Sequence, residues 1–117
     1  MERDWLRQAV SRSDEIRFAI CVSELEEYVG NAQLTRITEV DAEYHIFIGE
    51  ISFQGKGIGS QATQLVLDYA QKVLGLKTIY LVVRPENFPA IKIYVKCGFE
   101  LVSSSDVILT YRKVFNK

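Results

Sequence analysis

The stretch QGKGIGSQATQLVLDYAQKVLGLKTIYLVV, residues 54 to 83, decides the fold of this chain. Three glycines at alternate positions open it, and from Ile58 onward apolar residues recur every three or four positions. That spacing predicts an amphipathic helix, which Gly75 would cap at its C-terminus. The run Thr78 to Val83 is then apolar without alternation, which is typical of a strand in the middle of a sheet.

The segment upstream of this stretch predicts a further strand. Between Asp41 and Gly49, apolar residues at the even positions alternate with Glu43, His45 and Phe47 at the odd ones. A strand, loop, helix and buried strand in this order form a crossover unit, in which the two strands are parallel and the connection is right-handed. Ligands tend to bind at the loop between the first strand and its helix.

The two ends of the chain extend this unit. Arg17 to Ser23 and Tyr28 to Thr38 are predicted strands of an antiparallel meander, and Glu2 to Val10 is a predicted short helix. After the crossover, Asn87 is a predicted N-cap for a helix over residues 89–97 that Gly98 ends. Two closing strands are predicted at Phe99–Val102 and Val107–Phe115. Because nothing resembling a linker divides the chain, we predict one α/β domain over residues 1–117.

The composition excludes several classes of protein. An apolar fraction of 48% with 25% charged residues is typical of a soluble globular domain, and no segment reaches the length of a membrane span. The charged start of the chain lacks a signal sequence, so we predict a cytoplasmic protein. Two distant cysteines, Cys21 and Cys97, and the single His45 predict reduced thiols and no metal site. No basic stripe suggests nucleic-acid binding.

The charges are unevenly distributed along the chain. Residues 1–50 hold eleven acidic and five basic residues, for a net charge of −6, whereas residues 51–117 hold four and nine, for a net charge of +5. The two halves are therefore suited to partners of opposite charge, unless the asymmetry is an accident of a solvated surface.

The glycine-rich loop carries the chemistry. Its glycines let the backbone approach a ligand closely at the start of the helix, where unpaired N–H groups and the helix dipole favour an anion such as a pyrophosphate. Lys56 adds a positive charge. A nucleoside-triphosphate loop is excluded because Gly57 follows Lys56 where Ser or Thr is needed, and the spacing of a dinucleotide fingerprint is also missing. A glycine-rich turn without a ligand remains the alternative.

Two motifs resemble the GNAT family of N-acetyltransferases. The first, residues 54–59, is similar to the family's Q/R-x-x-G-x-G/A loop, and the second, residues 87–99, looks like its N-x-x-A-x-x-x-Y-x-x-x-G-F helix. Through residues 42–48 the resemblance is nearest to the ribosomal-protein N-terminal and spermidine acetyltransferases. It implies a mixed, mostly antiparallel central sheet with helices on both faces and one parallel crossover unit, lacking the family's usual first strand and helix.

The resemblance also implies the binding of acetyl-CoA as cosubstrate. The loop amides would hold the pyrophosphate, and the strand around Phe47 and Ile48 would bind the pantetheine arm and polarise the thioester carbonyl with a backbone N–H. The residues that the resemblance implies for this binding are Phe47, Ile48, Gln54, Gly55, Lys56, Gly57, Ile58, Gly59, Ser60, Asn87, Ala90 and Tyr94. Asn87 would serve equally well as a plain N-cap.

Three residues are candidates for catalysis. Tyr94 resembles the family's general acid, which protonates the coenzyme sulfur, and its alternative role is that of a core tyrosine. Glu43 and His45 share one face of their strand, so either is a candidate to accept the proton of the amine, although both also suit a solvated surface. Cys97 in its apolar setting suits packing better than covalent catalysis.

The sequence thus predicts an N-acetyltransferase that moves an acetyl group to a small-molecule amine or a peptide N-terminus by direct attack. The acidic half of the chain would face a cationic acceptor. The alternative function is that of a coenzyme A-binding protein without transferase activity. Because a sheet that starts at Arg17 would leave an edge exposed, we also predict a homodimer.

Overall fold

The computed structural model describes residues 4–11, 14–22, 27–49 and 57–115. Within these ranges the chain forms strands and helices in the order β1 to β4, α1, β5, α2, β6 and β7. Their bounds are β1 Asp4–Ser11, β2 Ile16–Val22, β3 Glu27–Thr35, β4 Asp41–Ile48, α1 Ile58–Lys72, β5 Thr78–Val83, α2 Phe88–Lys96, β6 Glu100–Ser104 and β7 Leu109–Val114.

All the described strands belong to one sheet with the order β1-β2-β3-β4-β5-β7-β6. Neighbouring strands are antiparallel except β4 and β5, which are parallel and are joined through α1. Helix α1 starts at Ile58, and Gly75 after it takes a φ of +69°. The predicted fold class, a mixed and mostly antiparallel sheet with one parallel crossover, is therefore confirmed.

The N-terminal segment differs from its prediction. The helix predicted over Glu2 to Val10 is wrong, because residues Asp4–Ser11 form β1 and pair with β2, with Trp5 opposite Cys21. A helix of about nine residues is marginal without strong packing, whereas the edge of β2 offers backbone partners along its whole length. A strand therefore precedes β2 and covers its edge, while the described residues before β2 include no helix.

The two described helices lie on one face of the sheet, which we call the inner face. In β4, Ala42 and Tyr44 point to that face and are buried. Thr63 of α1 hydrogen-bonds to Tyr44, and Tyr94 of α2 packs its ring against Tyr44. The sequence predicted helices on both faces, and the structure corrects this point for the described residues.

The opposite face, which we call the outer face, carries the other residues of the same strands. Arg17, Gln33, Glu43 and His45 follow one another across β2, β3 and β4 on this face, and these polar side chains need no covering layer. The inner face, by contrast, is continuously apolar in these strands. The best-buried side chains of the core include Ile20, Leu34, Tyr44, Ile79 and Leu81 of the sheet and Leu67 of α1.

Neither of the helices in the described part of the chain is long and apolar enough to cross a membrane.

Candidate functional site

A gap opens between β4 and β5. The two strands pair in parallel only from Asp41 opposite Thr78 to Glu43 opposite Tyr80, although β4 continues to Ile48 and β5 to Val83. On its other side β4 stays paired with β3 as far as Ile48. Beyond Glu43 and Tyr80, therefore, no β-ladder joins the two parallel strands, and the part of β4 around Phe47 lies past the end of their pairing.

Helix α1 begins beside this gap without a side-chain cap. Its N-cap residue is Gly57, which takes a φ of +83°, a left-handed conformation that favours glycine. The Gly57 carbonyl accepts the Gln61 N–H at 3.0 Å. The N–H groups of Ile58, Gly59 and Ser60 come before this bond and point out of the helix end, as helix geometry requires. Gln54, Gly55 and Lys56 lie outside the described residues, so their phosphate-binding role stays a prediction.

Gly59 brings the start of α1 close to α2. A Cβ atom at this position would lie 2.6 Å from Cδ1 of Ile93 and 3.6 Å from Cδ1 of Ile48. The glycine thus has a packing reason in addition to its predicted contact with the coenzyme. Because α1 sits this close to α2 and β4, its first turn is fixed relative to both.

Cys97 makes a second connection between the helices. Its thiol donates to the Ser60 carbonyl, with 3.5 Å between Sγ and O, and burial raises its pKa. A thiol that keeps its proton is a poor nucleophile. This environment supports the packing role that the sequence favoured over covalent catalysis.

Helix α2 is fixed at both of its ends. At its start, Asn87 Oδ1 accepts the Ala90 N–H at 3.3 Å, so the predicted N-cap is confirmed. At its end, Gly98 has a φ of +95°, its N–H donates to Val95, and the Phe99 N–H donates to the carbonyl of Tyr94 at 3.0 Å. These bonds form a Schellman motif, which satisfies the last carbonyls of the helix. The motif starts at Tyr94 and so fixes its backbone.

The side chain of Tyr94 is buried at the start of the gap. Its ring centroid lies 6.4 Å from that of Tyr44 and 5.8 Å from that of Phe99. Tyr44 is the first β4 residue beyond the last parallel pair. Among the described residues no group hydrogen-bonds to the Tyr94 hydroxyl, and burial raises its pKa. A buried hydroxyl normally has a partner, so this one is available to a ligand or a water molecule.

Glu43 and His45 lie on the outer face, as their shared strand face predicted. His45 Nε2 is 3.1 Å from Thr35 Oγ1 and 3.9 Å from Glu43 Oε2, and Glu43 Oε1 is 3.7 Å from Arg36 Nε. The side chain of Glu43 is 14% exposed, whereas that of His45 is 44% exposed. Glu43 is therefore the more sheltered of the two candidate bases, and it is paired in sheet register with Tyr80 at the mouth of the gap.

The other residues predicted to bind the coenzyme are placed as follows. Phe47 is 63% exposed on the outer face, and Ile48 is partly buried against the core. The N–H of Ala90 is used by the Asn87 cap, and its side chain packs against the core. Their contacts with a coenzyme stay predictions.

The sequence missed three residues around the site. Tyr44 and Thr63 form a buried pair of hydroxyls 2.8 Å apart, and the pKa of Tyr80 is raised by partial burial and by the nearby charge of Glu43. A threonine inside the apolar stripe of α1 was the available signal, since such a hydroxyl needs a buried partner. Within the described residues no group of three or more His, Cys, Asp or Glu is arranged to hold a metal ion.

Comparisons with known proteins agree with this geometry. The sequence model of an acetyltransferase (GNAT) domain matches residues 1–100. A spermidine N(1)-acetyltransferase of Escherichia coli K12 is 42% identical over 77 residues, which cover 64% of this chain and 41% of that protein. The chain thus aligns with less than half the length of this curated relative.

Two solved structures show the same fold. The Campylobacter jejuni N-acetyltransferase PseH in complex with acetyl coenzyme A has a TM-score of 0.79 at 18% identity, over 90% of this chain and 71% of that one. A domain from Methanocaldococcus jannaschii DSM 2661 has a TM-score of 0.87 at 18% identity, over 98% of this chain and 100% of that one. At such identities the likeness concerns the fold alone.

Proposed function

The chain belongs to the GNAT family of acetyltransferases, and on this premise we propose that it transfers the acetyl group of acetyl-CoA to an amine. The observation that carries the proposal is Tyr94, whose buried side chain stands where β4 and β5 part and whose hydroxyl has no hydrogen-bond partner among the described residues. The hydroxyl of a core tyrosine usually has a partner in the protein or in an ordered water molecule. This one lies at the place where a ligand would enter the sheet.

The residues around the gap suit coenzyme A. The first turn of α1 offers N–H groups and the positive end of the helix dipole to a pyrophosphate, and its N-cap Gly57 provides no side-chain cap. The backbone of β4 beyond Glu43 lies beside the gap, where an extended pantetheine arm would find strand-like partners. Gln54, Gly55 and Lys56 would complete the phosphate site. Bound acetyl-CoA supplies an acetyl thioester.

The candidate acid and the two candidate bases lie on opposite faces of the sheet, near the point where the pairing of β4 and β5 ends. The amine would approach from the outer face, where Glu43 or His45 accepts its proton directly or through water. Tyr94, on the inner face, would give its proton to the coenzyme sulfur. Because the two protons move on different sides of the sheet, the acid and the base do not compete for the same position. Attack by the amine would then be direct, with no acetylated enzyme.

The acceptor that fits best is a cationic amine. An amine with a pKa of about 10 arrives mostly protonated, and the sheltered carboxylate of Glu43 attracts such a cation. The acidic half of the chain, which includes β4, adds to this attraction. A relative named for spermidine acetylation favours a polyamine, while a peptide N-terminus and an amino sugar are the other acceptors to be compared.

The decisive experiment has two steps with the purified chain. Calorimetry with acetyl-CoA tests uptake of the cosubstrate, and thiol release with spermidine, a peptide with an unblocked N-terminus and glucosamine tests transfer. We expect uptake and the fastest thiol release with a cationic acceptor. Uptake without thiol release from any amine would favour a coenzyme-binding protein that lacks transferase activity, and the absence of uptake would overturn the family-based function altogether.

Three further properties belong to this proposal. We propose that residues 1–117 form a single acetyltransferase domain, that the protein works in the cytoplasm, and that it forms a homodimer. The exposed Phe47 and Val82 on the outer face support association of two copies. The edge of β2 does not support this association, because β1 covers it.

A further inference from the structure

A pair of buried hydroxyls lies directly behind Tyr94. Thr63 of α1 is 0% exposed and Tyr44 of β4 is 2% exposed. Their hydroxyl oxygens are 2.8 Å apart, the usual length of a hydrogen bond between hydroxyl groups, and the bond joins a helix to the strand beneath it. Apart from tyrosines and cysteines, Thr63 is the only buried side chain with a polar group among the residues whose burial the structure describes. Leaving either hydroxyl unpaired at this depth is costly, so each fixes the position of the other.

The hydrogen bond also fixes a ring that contacts Tyr94. The rings of Tyr44 and Tyr94 meet edge to face, with an angle of 81° between their planes, and Phe99 contacts Tyr94 at 60°. Perpendicular ring contacts of this kind are directional, because the edge of one ring meets the face of the other. If the Tyr44 ring turned or slid, the surface that supports the Tyr94 ring would move with it.

We propose that Tyr44 and Thr63 are positioning residues, which hold the Tyr94 ring at the opening between β4 and β5. The inference rests on the proposed function, since Tyr94 is the proton donor of that mechanism. It extends that function by connecting α1, whose first turn would bind the pyrophosphate, to the acid on α2 through one hydrogen bond and one ring contact.

Tyr44 is not itself a second proton donor. Its hydroxyl is already bonded to Thr63 in the core, and burial raises its pKa far above the usual range of a tyrosine. Tyr94, by contrast, has no hydrogen-bond partner among the described residues. Tyr44 therefore acts on the reaction only through Tyr94.

A mutant cycle tests whether Tyr44 and Thr63 affect turnover through Tyr94. The variants are Tyr44→Phe, Thr63→Val and Tyr94→Phe, together with the combinations Tyr44→Phe/Tyr94→Phe and Tyr44→Phe/Thr63→Val. We expect Tyr44→Phe and Thr63→Val each to lower kcat about tenfold, because small displacements of a catalytic group slow turnover strongly. The KM for acetyl-CoA should stay within about twofold, since the first turn of α1 is unchanged.

The combined variants separate positioning from stability. In the Tyr94→Phe background, Tyr44→Phe should change kcat by less than about twofold, because residues acting as a unit are not additive. Tyr44→Phe/Thr63→Val leaves no unpaired hydroxyl and should regain thermal stability without regaining kcat. Additive losses, or full recovery of kcat in this last variant, would overturn the proposal.

The matched control is Tyr69→Phe. Tyr69 also belongs to α1 and also makes an edge-to-face ring contact, 5.3 Å from Phe18, but it does not contact Tyr94. Loss of its hydroxyl should leave kcat unchanged. An equal loss of kcat in this control would mean that any altered tyrosine on the core side of α1 slows the enzyme.

A second measurement does not depend on turnover. Carbon-13 NMR of ring-labelled tyrosine follows the titration of Tyr94, whose signal is identified by its absence in Tyr94→Phe. In wild-type protein the Tyr94 pKa should be raised by burial, and Tyr44→Phe and Thr63→Val should lower it towards the ordinary value as the ring becomes more accessible. An unchanged titration in both variants would refute the positioning role, whereas the proposed function fails if no amine is acetylated.

Discussion

At the scale of single residues, Tyr94 is the group on which the proposed chemistry depends most. Tyr94→Phe removes the phenolic proton and keeps the ring between Tyr44 and Phe99, so the fold should be retained. We expect kcat to fall roughly ten- to a thousandfold rather than to zero, since a thiolate leaves without full protonation. Steady-state thiol release, with thermal unfolding as the check on folding, measures this. Wild-type turnover in the folded variant would exclude the acid role.

The raised pKa of Tyr94 predicts how the activity should change at alkaline pH. Because burial raises the pKa of Tyr94, the hydroxyl keeps its proton beyond the ordinary tyrosine value of about 10. Activity that requires the protonated form should therefore persist to that pH and fall only above it. In Tyr94→Phe this alkaline fall should disappear from the profile of kcat against pH, and a fall of unchanged position would point to another group.

Two variants can decide whether Glu43 or His45 is the general base. A variant that lacks the group accepting the proton of the amine should turn over more slowly, because general-base catalysis contributes about a hundredfold or more. Since Glu43 is the more sheltered group and lies at the mouth of the gap, we expect Glu43→Gln to lower kcat about a hundredfold in the thiol-release assay and His45→Ala to change it by less than about twofold. The opposite outcome would make His45 the base and leave Glu43 as its ion-pair partner.

At the scale of the elements, the contact between α1 and α2 depends on the lack of a side chain at Gly59. Gly59→Ala would place a Cβ 2.6 Å from Cδ1 of Ile93, and overpacking of this kind costs about 1–3 kcal/mol. Ile93→Val removes that Cδ1 atom. We therefore expect Gly59→Ala to lower the midpoint of thermal unfolding and Gly59→Ala/Ile93→Val to recover most of the loss.

Gly59→Ala and Gly59→Ala/Ile93→Val also test whether the backbone at Gly59 contacts the coenzyme. If Gly59 is needed only for helix packing, the double variant should also regain the affinity for acetyl-CoA in calorimetry. If the coenzyme approaches the backbone at Gly59 more closely than a methyl group allows, stability should return while affinity stays low. Equal stability losses in the single and double variants would contradict the packing contact.

At the scale of the whole molecule, the buried tyrosines make the fold sensitive to alkali. Burial raises the pKa of both Tyr44 and Tyr94 in the folded chain. Below a pH of about 10 both the folded and unfolded chains keep these protons, and the tyrosines add no pH dependence. Above it the unfolded chain loses them first, so the free energy of unfolding should fall by about 1.4 kcal/mol per pH unit for each group.

Urea unfolding between pH 8 and pH 11 measures this effect. Tyr44→Phe removes one of the two groups and should make the alkaline fall shallower, while exposed ionisable groups are left as they are. A stability that is already falling steeply below pH 9, or a fall that Tyr44→Phe does not change, would show that other groups dominate.

The association of two copies is the other property at this scale. Phe47 and Val82 are exposed on the outer face, and burying them against a second copy would stabilise a dimer. Light scattering at micromolar concentration should therefore give twice the mass of 13.4 kDa. A monomer would refute the dimer, and Phe47→Ser should shift a real dimer towards monomers.

The sequence by itself determined every element from β2 onward. Alternation in residues 41–49, the apolar stripe from Ile58 and the continuous run Thr78–Val83 are periodicities that the backbone geometry of strands and helices imposes directly. The glycines at positions 75 and 98 likewise predicted both helix ends, because a left-handed φ is costly for other residues. The two motifs also predicted the family, because each keeps its residue types at a fixed spacing within a short segment of the sequence.

Tertiary structure alone decided what depends on contacts between distant segments. Residues 4–11 became a strand because β2 supplies hydrogen-bond partners, which no local pattern reveals. Both helices of the described residues share the inner face, Tyr94 and the candidate bases lie on opposite faces, and Thr63 pairs with Tyr44 nineteen positions away. Long-range pairings of this kind follow from how the sheet and helices pack, and that packing depends on the whole chain.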